Sequence, residues 1–285
     1  MRRSVLLMMC AAALFGPVAQ AQDDFPRREP ITIVTPYAAG AGSDFLGRRL
    51  GEVLRDRLGQ QVIVVNMPGS GGIIAAQDFA AVVHLGGGPY DLVAPPSLPA
   101  RNMEELVALS RGTQLFYASS GIGGASHLAG ELLKLQSGVK MSHTPFRGGG
   151  PAVMAVLSNQ PPLLFGTIAS SATHIRSGGL RAIGVTGDKR APQLPNVPTL
   201  AELGVKGYNV TTWDAFVVPA ATPKPVIDRL NAAVVKVIRM PEVSEKIREM
   251  GYTPTGSSAH ELAEFLKAEA AVWARVIQEA DVRAD

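Results

Sequence analysis

The order of apolar and polar positions divides the chain into short strand-like runs and longer helical ones. Ile31 to Thr35 is a β-branched run bounded by prolines and reads as a buried strand. Phe45, Leu46, Leu50, Val53, Leu54 and Leu58 then recur at helical spacing up to Gly59, where a helix would stop. Val62 to Val65 predicts a second strand, and Ile73 to about Val83 a second helix. His84 to Ala100, rich in Gly and Pro, reads as irregular chain with at most one short strand around Asp91 to Ala94.

Beyond it, Asn102-Met103-Glu104-Glu105 opens a helix that ends near Gly112, followed by a strand over Gln114 to Ala118. A helix carrying Leu128, Leu132, Leu133 and Leu135 comes next, then a strand from Val139 to Pro145 and a helix reaching Leu157. Leu163 to Phe165 and Leu180 to Thr186 supply further strands around a helix near Ser170 to Ser177. Asn209 to Val218 reads as an extended return. Three helices close the chain: Pro223 to Arg239 with Thr222 as cap, Glu242 to Met250, and Ser258 to about Ala280, which opens with a Ser258–Glu261 capping box. Strands alternating with helices predict an α/β fold with largely parallel sheets.

Composition changes this picture at the N-terminus. Arg2 and Arg3, the apolar run Val5 to Phe15 and Ala19-Gln20-Ala21 form a secretory signal over residues 1–21, cut after Ala21, so a periplasmic protein is expected. Cys10 is not expected to carry a lipid, because Leu7-Met8-Met9 lacks the small residues such a cut needs. Loss of the signal turns 27 basic residues into 25 against 24 acidic ones, a net charge of +1, which argues against a nucleic-acid or membrane-surface partner. It also removes the only cysteine, which excludes disulfides and thiol chemistry.

The chemistry lies in four strand-to-helix loops reduced to Gly, Ala and Ser. In the first, Tyr37, Ala38, Ala39, Gly40, Ala41, Gly42, Ser43 and Asp44 lead into a helix whose amide end favours an anion; the alternative is a turn kept small for packing. Asp44 could meet an amino group of a ligand or cap the helix. In the third, Ser119, Ser120, Gly121, Gly124, Ser126 and His127 offer hydroxyls beside backbone amides, with Ser126 as a possible cap and His127 as a helix-terminus hydrogen-bonder. In the fourth, Arg147 beside Gly148 could neutralise a carboxylate. The Asn66 to Gly72 turn is the remaining loop.

Gly40-Ala41-Gly42 is not a dinucleotide fingerprint, since the third glycine falls at Gly47 and Asn66 stands where a ribose-binding acid is needed. No G-x-S-x-G elbow is present. His127, His143 and His174 are too dispersed to read as metal ligands; Trp213 and Trp273 read as packing residues, with the lining of a cleft as the alternative for Trp213.

The segments PITIVTPYAAGAGSD, GQQVIVVNMPGSGG, PPSLPARNMEELVAL, YASSGIGGASHLAGELLK, GGLRAIGVTGDKRAPQLPNVPTLAELGVKGY and VVPAATPKPVIDRLNAAVV resemble the Bug family, extracytoplasmic solute receptors of tripartite tricarboxylate transporters. The resemblance implies a two-lobed periplasmic binding protein fold of type II, with 22–94 and 219–285 in one lobe, 95–218 in the other, and a hinge between them. It implies a monomer without cofactor or metal that closes over a small carboxylated solute and presents it to membrane permease subunits. Tyr37 to Ser43 and Ser119 to His127 would grip the carboxylate through backbone amides, serine hydroxyls and ordered water. A periplasmic α/β enzyme and a signalling receptor of the same fold are the alternatives. Three departures stand out: the family carries several dozen more residues around His84 to Pro96, implying a shortened first lobe. Gly166-Thr167 occupies the place of an acidic or amide pair that would contact the ligand. Pro161 and Pro162 stand where a strand would begin, at the cost of ladder donors.

Overall fold

The computed structural model describes residues 25, 30–35, 42–67 and 79–283. The expected signal peptide, the loop residues Tyr37, Ala38, Ala39, Gly40 and Ala41, and most of the Asn66 to Gly72 turn lie outside the described residues.

β1 (Ile31–Thr35) and β2 (Val62–Asn66) pair in parallel, Ile31 opposite Val62 and Thr35 opposite Asn66. The α1 helix (Gly42–Leu58) buries Leu46, Leu50 and Leu54 against Ile33. The same core continues into Leu230, Val234 and Val237 of α6 (Lys224–Ile238) and into Val243 and Ile247 of α7 (Pro241–Glu249). The other face of this sheet leaves Val34 42%, Ile63 40% and Val65 39% exposed, although parallel sheets are ordinarily covered on both faces.

β3 (Phe79–Ala94) corrects the sequence reading most. Residues expected to end a helix (Phe79 to Val83) and to form irregular chain (His84 onward) are one continuous 16-residue strand. Its first part pairs antiparallel with β8 (Thr211–Pro219), Phe79 opposite Pro219 and Pro89 opposite Thr211, and with β9 (Thr253–Pro254). Its last part pairs antiparallel with β6 (Leu163–Thr167) and β7 (Arg181–Val185). The glycines that suggested a loop are here for close approach: a Cβ on Gly86 would lie 2.5 Å from the Thr253 carbonyl oxygen. On Gly87 and Gly88 it would meet the Thr212 and Gly251 carbonyls closer still.

The larger sheet has the order β5-β4-β6-β3-β7, where β4 is Leu115–Ser119 and β5 is Met141–Pro145; β4 runs parallel to both neighbours. Its core joins Tyr90, Leu92, Tyr117, Phe165, Leu163 and Ile183 to Met103 and Leu106 of α2 (Met103–Gly112) and Leu133 of α3 (Ala125–Ser137). On the other face Val93, Ala118 and Leu164 pack on Ala152, Val153 and Val156 of α4 (Gly149–Leu157).

Local signals fare better. Asn102 caps α2 by accepting from the Glu105 amide, and the capping box at Ser258 and Glu261 opens α8 (Ala259–Glu279). Thr222 does not cap α6; Pro223 occupies the N-cap position and offers no side-chain acceptor. Pro161 and Pro162 precede β6, so no ladder donor is lost. Trp213 and Trp273 both donate their indole N–H to Glu269 Oε2, tying β8 to α8 as packing residues.

Candidate functional site

Three neighbouring parallel strands, β5, β4 and β6, each run into a helix, so α4, α3 and α5 (Ile168–Arg176) open at the same sheet edge. Their N-cap residues are Gly148, Gly124 and Thr167, and none makes a side-chain cap hydrogen bond. The first-turn amides Ala125, Ser126, Gly149, Gly150, Ile168 and Ala169 therefore leave three helix ends without an acceptor from their own helix, and the three positive dipole ends add. Gly148 has φ 110, a conformation open to glycine, and nothing lies within 4 Å of where its Cβ would be. Sequence reading reached Gly124, Ser126, Gly148 and Thr167 but missed Gly149, Gly150, Ile168 and Ala169, the first residues of α4 and α5. The signal was present in the uncapped sequences Gly-Gly-Gly-Pro and Thr-Ile-Ala-Ser, which become meaningful only when the strands are adjacent.

The loop after β4 uses many of its own amides. Ser120 N–H donates to Ser126 Oγ at 3.1 Å, Gly121 N–H to Ser119 Oγ at 3.2 Å and Gly123 N–H to His127 Nδ1 at 3.1 Å. Ser126 is thus not the cap of α3 but the second residue of the helix, its hydroxyl 3.0 Å from that of Ser120. Phe146 and Gly148 donate their amides to the Ser119 and Ser120 carbonyls, joining the two loops. The Arg147 side chain is exposed and makes no hydrogen bond among the described residues. The Thr167 hydroxyl donates to Ser170 Oγ, which in turn donates to the Thr167 carbonyl at 2.8 Å.

His127 and His143, 16 residues apart in sequence, stack with ring centroids 3.6 Å apart, a pairing the sequence reading did not anticipate. Burial pushes the His143 imidazole down to about 3, helped by His127 and Lys134, and burial also lowers His127. Both rings are neutral at pH 7.

Below α5, Asp91 is wholly buried in β3, and Ser171 Oγ donates to its Oδ2 while lying 3.0 Å from the Thr167 carbonyl. Among the described residues its Oδ1 has no hydrogen-bond partner, and a Cβ on Gly166 would sit 2.9 Å from it. Gly166 is therefore space for this carboxyl. Burial pushes Asp91 up to about 7. Its folded state holds a proton that the unfolded chain releases near the ordinary value of 3.8, so this group's contribution is full below 3.8 and is lost as pH rises through 7. Asp91→Asn, which keeps an acceptor for Ser171, is expected to lose less stability than the native chain between pH 5 and 8. Parallel urea curves at the two pH values check this, and equal slopes for both proteins refute it.

In the first loop only Gly42, Ser43 and Asp44 are described. Asp44 is the third residue of α1 and does not cap it from outside; its carboxylate takes Arg48 at 2.9 Å and the Asn66 amide at 2.9 Å, so it ties α1 to β2.

A family profile described as the tripartite tricarboxylate transporter family receptor (TctC) matches residues 76–282. The UPF0065 protein in the tcbD-tcbE intergenic region of Pseudomonas sp. is 33% identical over 317 aligned positions, covering 98% of this chain and 94% of that protein. That alignment is longer than the 285-residue chain, so the relative carries residues this chain lacks. BugT of Bordetella pertussis is 28% identical over 312 positions, covering 96% and 95%. Among solved structures, R. palustris Rpa4515 with adipate matches with a TM-score of 0.83 at 28% identity, over 91% of this chain and 99% of that one. MatC (Rpa3494) from Rhodopseudomonas palustris with bound malate matches with 0.82 at 26%, over 88% and 99%.

Proposed function

The chain belongs to the tripartite tricarboxylate transporter receptor family, with the two-lobed periplasmic binding protein fold, and from that premise we propose that it captures a small carboxylate at the three uncapped helix ends. Three amide-rich termini at one sheet edge carry this reading. Hydrogen bonds to a charged acceptor contribute about 1.5–3 kcal/mol each. Four of them supply roughly 6–12 kcal/mol before ordering costs, against about 8 kcal/mol for micromolar binding, so no arginine is required. The Ser120–Ser126 hydroxyl pair keeps one proton that it can donate to the ligand, and the exposed Arg147 side chain is proposed to meet a second carboxylate. The Tyr37 to Ser43 loop, with Gly42 and Ser43 at the start of α1, is proposed as the opposing jaw.

The two lobes are read as 22–94 with 219–285, and 95–218. The separate cores support two lobes, one built on Ile33, Leu54 and Val234 and the other on Leu92, Tyr117 and Phe165; Tyr90 to Ala94 pack in the second core, which argues for a boundary inside β3 ahead of residue 94. The open face at Val34, Ile63 and Val65 agrees with a first lobe shorter than in the relatives. No described helix is long and apolar enough to cross a membrane, and we place the chain in the periplasm after removal of residues 1–21, delivering its ligand to separate permease subunits.

We further propose that it performs no chemistry on the ligand. Ser119 Oγ lies 2.6 Å from His143 Nε2, the contact a serine nucleophile needs, but Ser119 is wholly buried and its hydroxyl serves Gly121. Titration calorimetry against mono-, di- and tricarboxylates, beginning with malate and adipate, tests both statements. Micromolar binding with intact ligand recovered supports them. Binding of no carboxylate overturns the first, and turnover of the bound acid overturns the second.

A further inference from the structure

The stacked histidines beside the β4–α3 loop have no part in the reading above, yet each ring nitrogen aimed at that loop is engaged. His127 Nδ1 accepts the Gly123 amide at 3.1 Å, which places the proton of this neutral ring on Nε2, 3.8 Å from Glu131 Oε1. His143, arriving from β5, sets Nε2 2.6 Å from Ser119 Oγ, and the same oxygen receives the Gly121 amide at 3.2 Å. The rings lie at 11° to one another over a buried floor of Tyr117, whose hydroxyl donates to Glu131 Oε1 at 2.8 Å; Lys134 closes on Glu131 Oε2 at 2.6 Å. His127, Glu131, Tyr117 and Ser119 are all buried.

We propose that His143, stacked on His127, is a positioning residue for carboxylate capture: through Ser119 it fixes the 119–124 loop in one shape, so that the Ala125 and Ser126 amides face the ligand. Gly121 and Gly123 are the amides a glycine loop could otherwise turn outward; His127 holds Gly123 inward directly, and Ser119 Oγ, which His143 contacts, holds Gly121. Without the pair the loop has several shapes, and ordering it falls on the ligand. Two neutral rings can lie 3.6 Å apart; two charged ones would repel. This inference rests on the carboxylate reading for its purpose, but the clamp itself is separately measurable.

The test uses His143→Phe, which keeps an aromatic ring on His127 but removes the nitrogen, and His143→Gln, which returns a polar group near the Nε2 position. Ser119→Ala removes the loop's side of the same contact with little change in volume. Amide hydrogen exchange at Gly121 and Gly123 is expected to rise at least about tenfold in His143→Phe and in Ser119→Ala, and to recover in His143→Gln. Malate and adipate serve as binding probes at pH 7. The probe bound by the native protein is expected to bind about tenfold more weakly to the Phe and Ala variants, and within about threefold of native to Gln. Unchanged exchange in both His143→Phe and Ser119→Ala overturns the clamp whether or not any probe binds. Raised exchange with unchanged affinity overturns its positioning role. A native protein that binds neither probe counts against the carboxylate reading, and the exchange result then decides the clamp alone.

Discussion

Gly88→Ala is expected to cost about 3 kcal/mol or more of folding stability, enough to leave a protein of ordinary stability partly unfolded at 37 °C. Gly88 lies in the middle of β3 opposite Thr212, and its added Cβ would press into the carbonyl oxygen of Gly251. That atom belongs to a backbone which cannot retreat, because Gly251 has φ +82 and its own Cβ position is 2.7 Å from Ile168 Cβ. Gly88, Gly251 and Ile168 are thus a three-layer stack without slack, joining the long strand to the first residue of α5. Pushing Gly251 outward displaces the very helix end proposed to hold the ligand. Gly112→Ala is the control: it ends α2 with open space around it, and a helix-favouring residue there is expected to change stability by less than about 1 kcal/mol. Urea unfolding of the two variants decides the matter, and a loss below about 1 kcal/mol for Gly88→Ala would show that the Gly251 backbone is not held as described.

Gly150→Asp separates binding from stability in the opposite sense. Gly150 is the second residue of α4, nothing lies within 4 Å of its Cβ position, and a carboxylate in a helix first turn is favoured by the dipole. Stability is therefore expected to hold or to rise by up to about 1 kcal/mol. The same carboxylate would occupy the amide end proposed to receive the ligand and repel it at short range. Affinity for whichever carboxylate the native protein binds is expected to fall at least about 30-fold, some 2 kcal/mol. Calorimetry and thermal unfolding on one preparation give both numbers. Native-like affinity in a stably folded Gly150→Asp would remove α4 from the site.

Most elements of this fold are legible locally, because a β-branched run between prolines and a helix start capped by Ser258 and Glu261 are marked by residues adjacent in sequence. β3 is not. Its glycines answer to the carbonyls of Thr212, Gly251 and Thr253, more than 120 residues away, so a pattern that ordinarily punctuates a loop here marks backbones in contact. Asp91 is similar: nothing around it in sequence predicts a wholly buried carboxyl, which exists because Ser171 and the empty side of Gly166 accommodate it.

For the candidate site, the residue types were readable and the partners were not. Small residues before Ala125, Gly149 and Ile168 announce helix ends that lack caps, and the quoted motifs carry the family. Composition and motifs alone thus determine an α/β chain with bare amide termini, since these depend on residue identity. Only the tertiary structure decides that three of those termini share one sheet edge, that Gly121 and Gly123 are already engaged, and that His127 lies on His143. Adjacency of β5, β4 and β6 is set by strand pairing across the whole domain, and hydrogen bonds are exclusive: an amide taken by an imidazole cannot also serve a ligand.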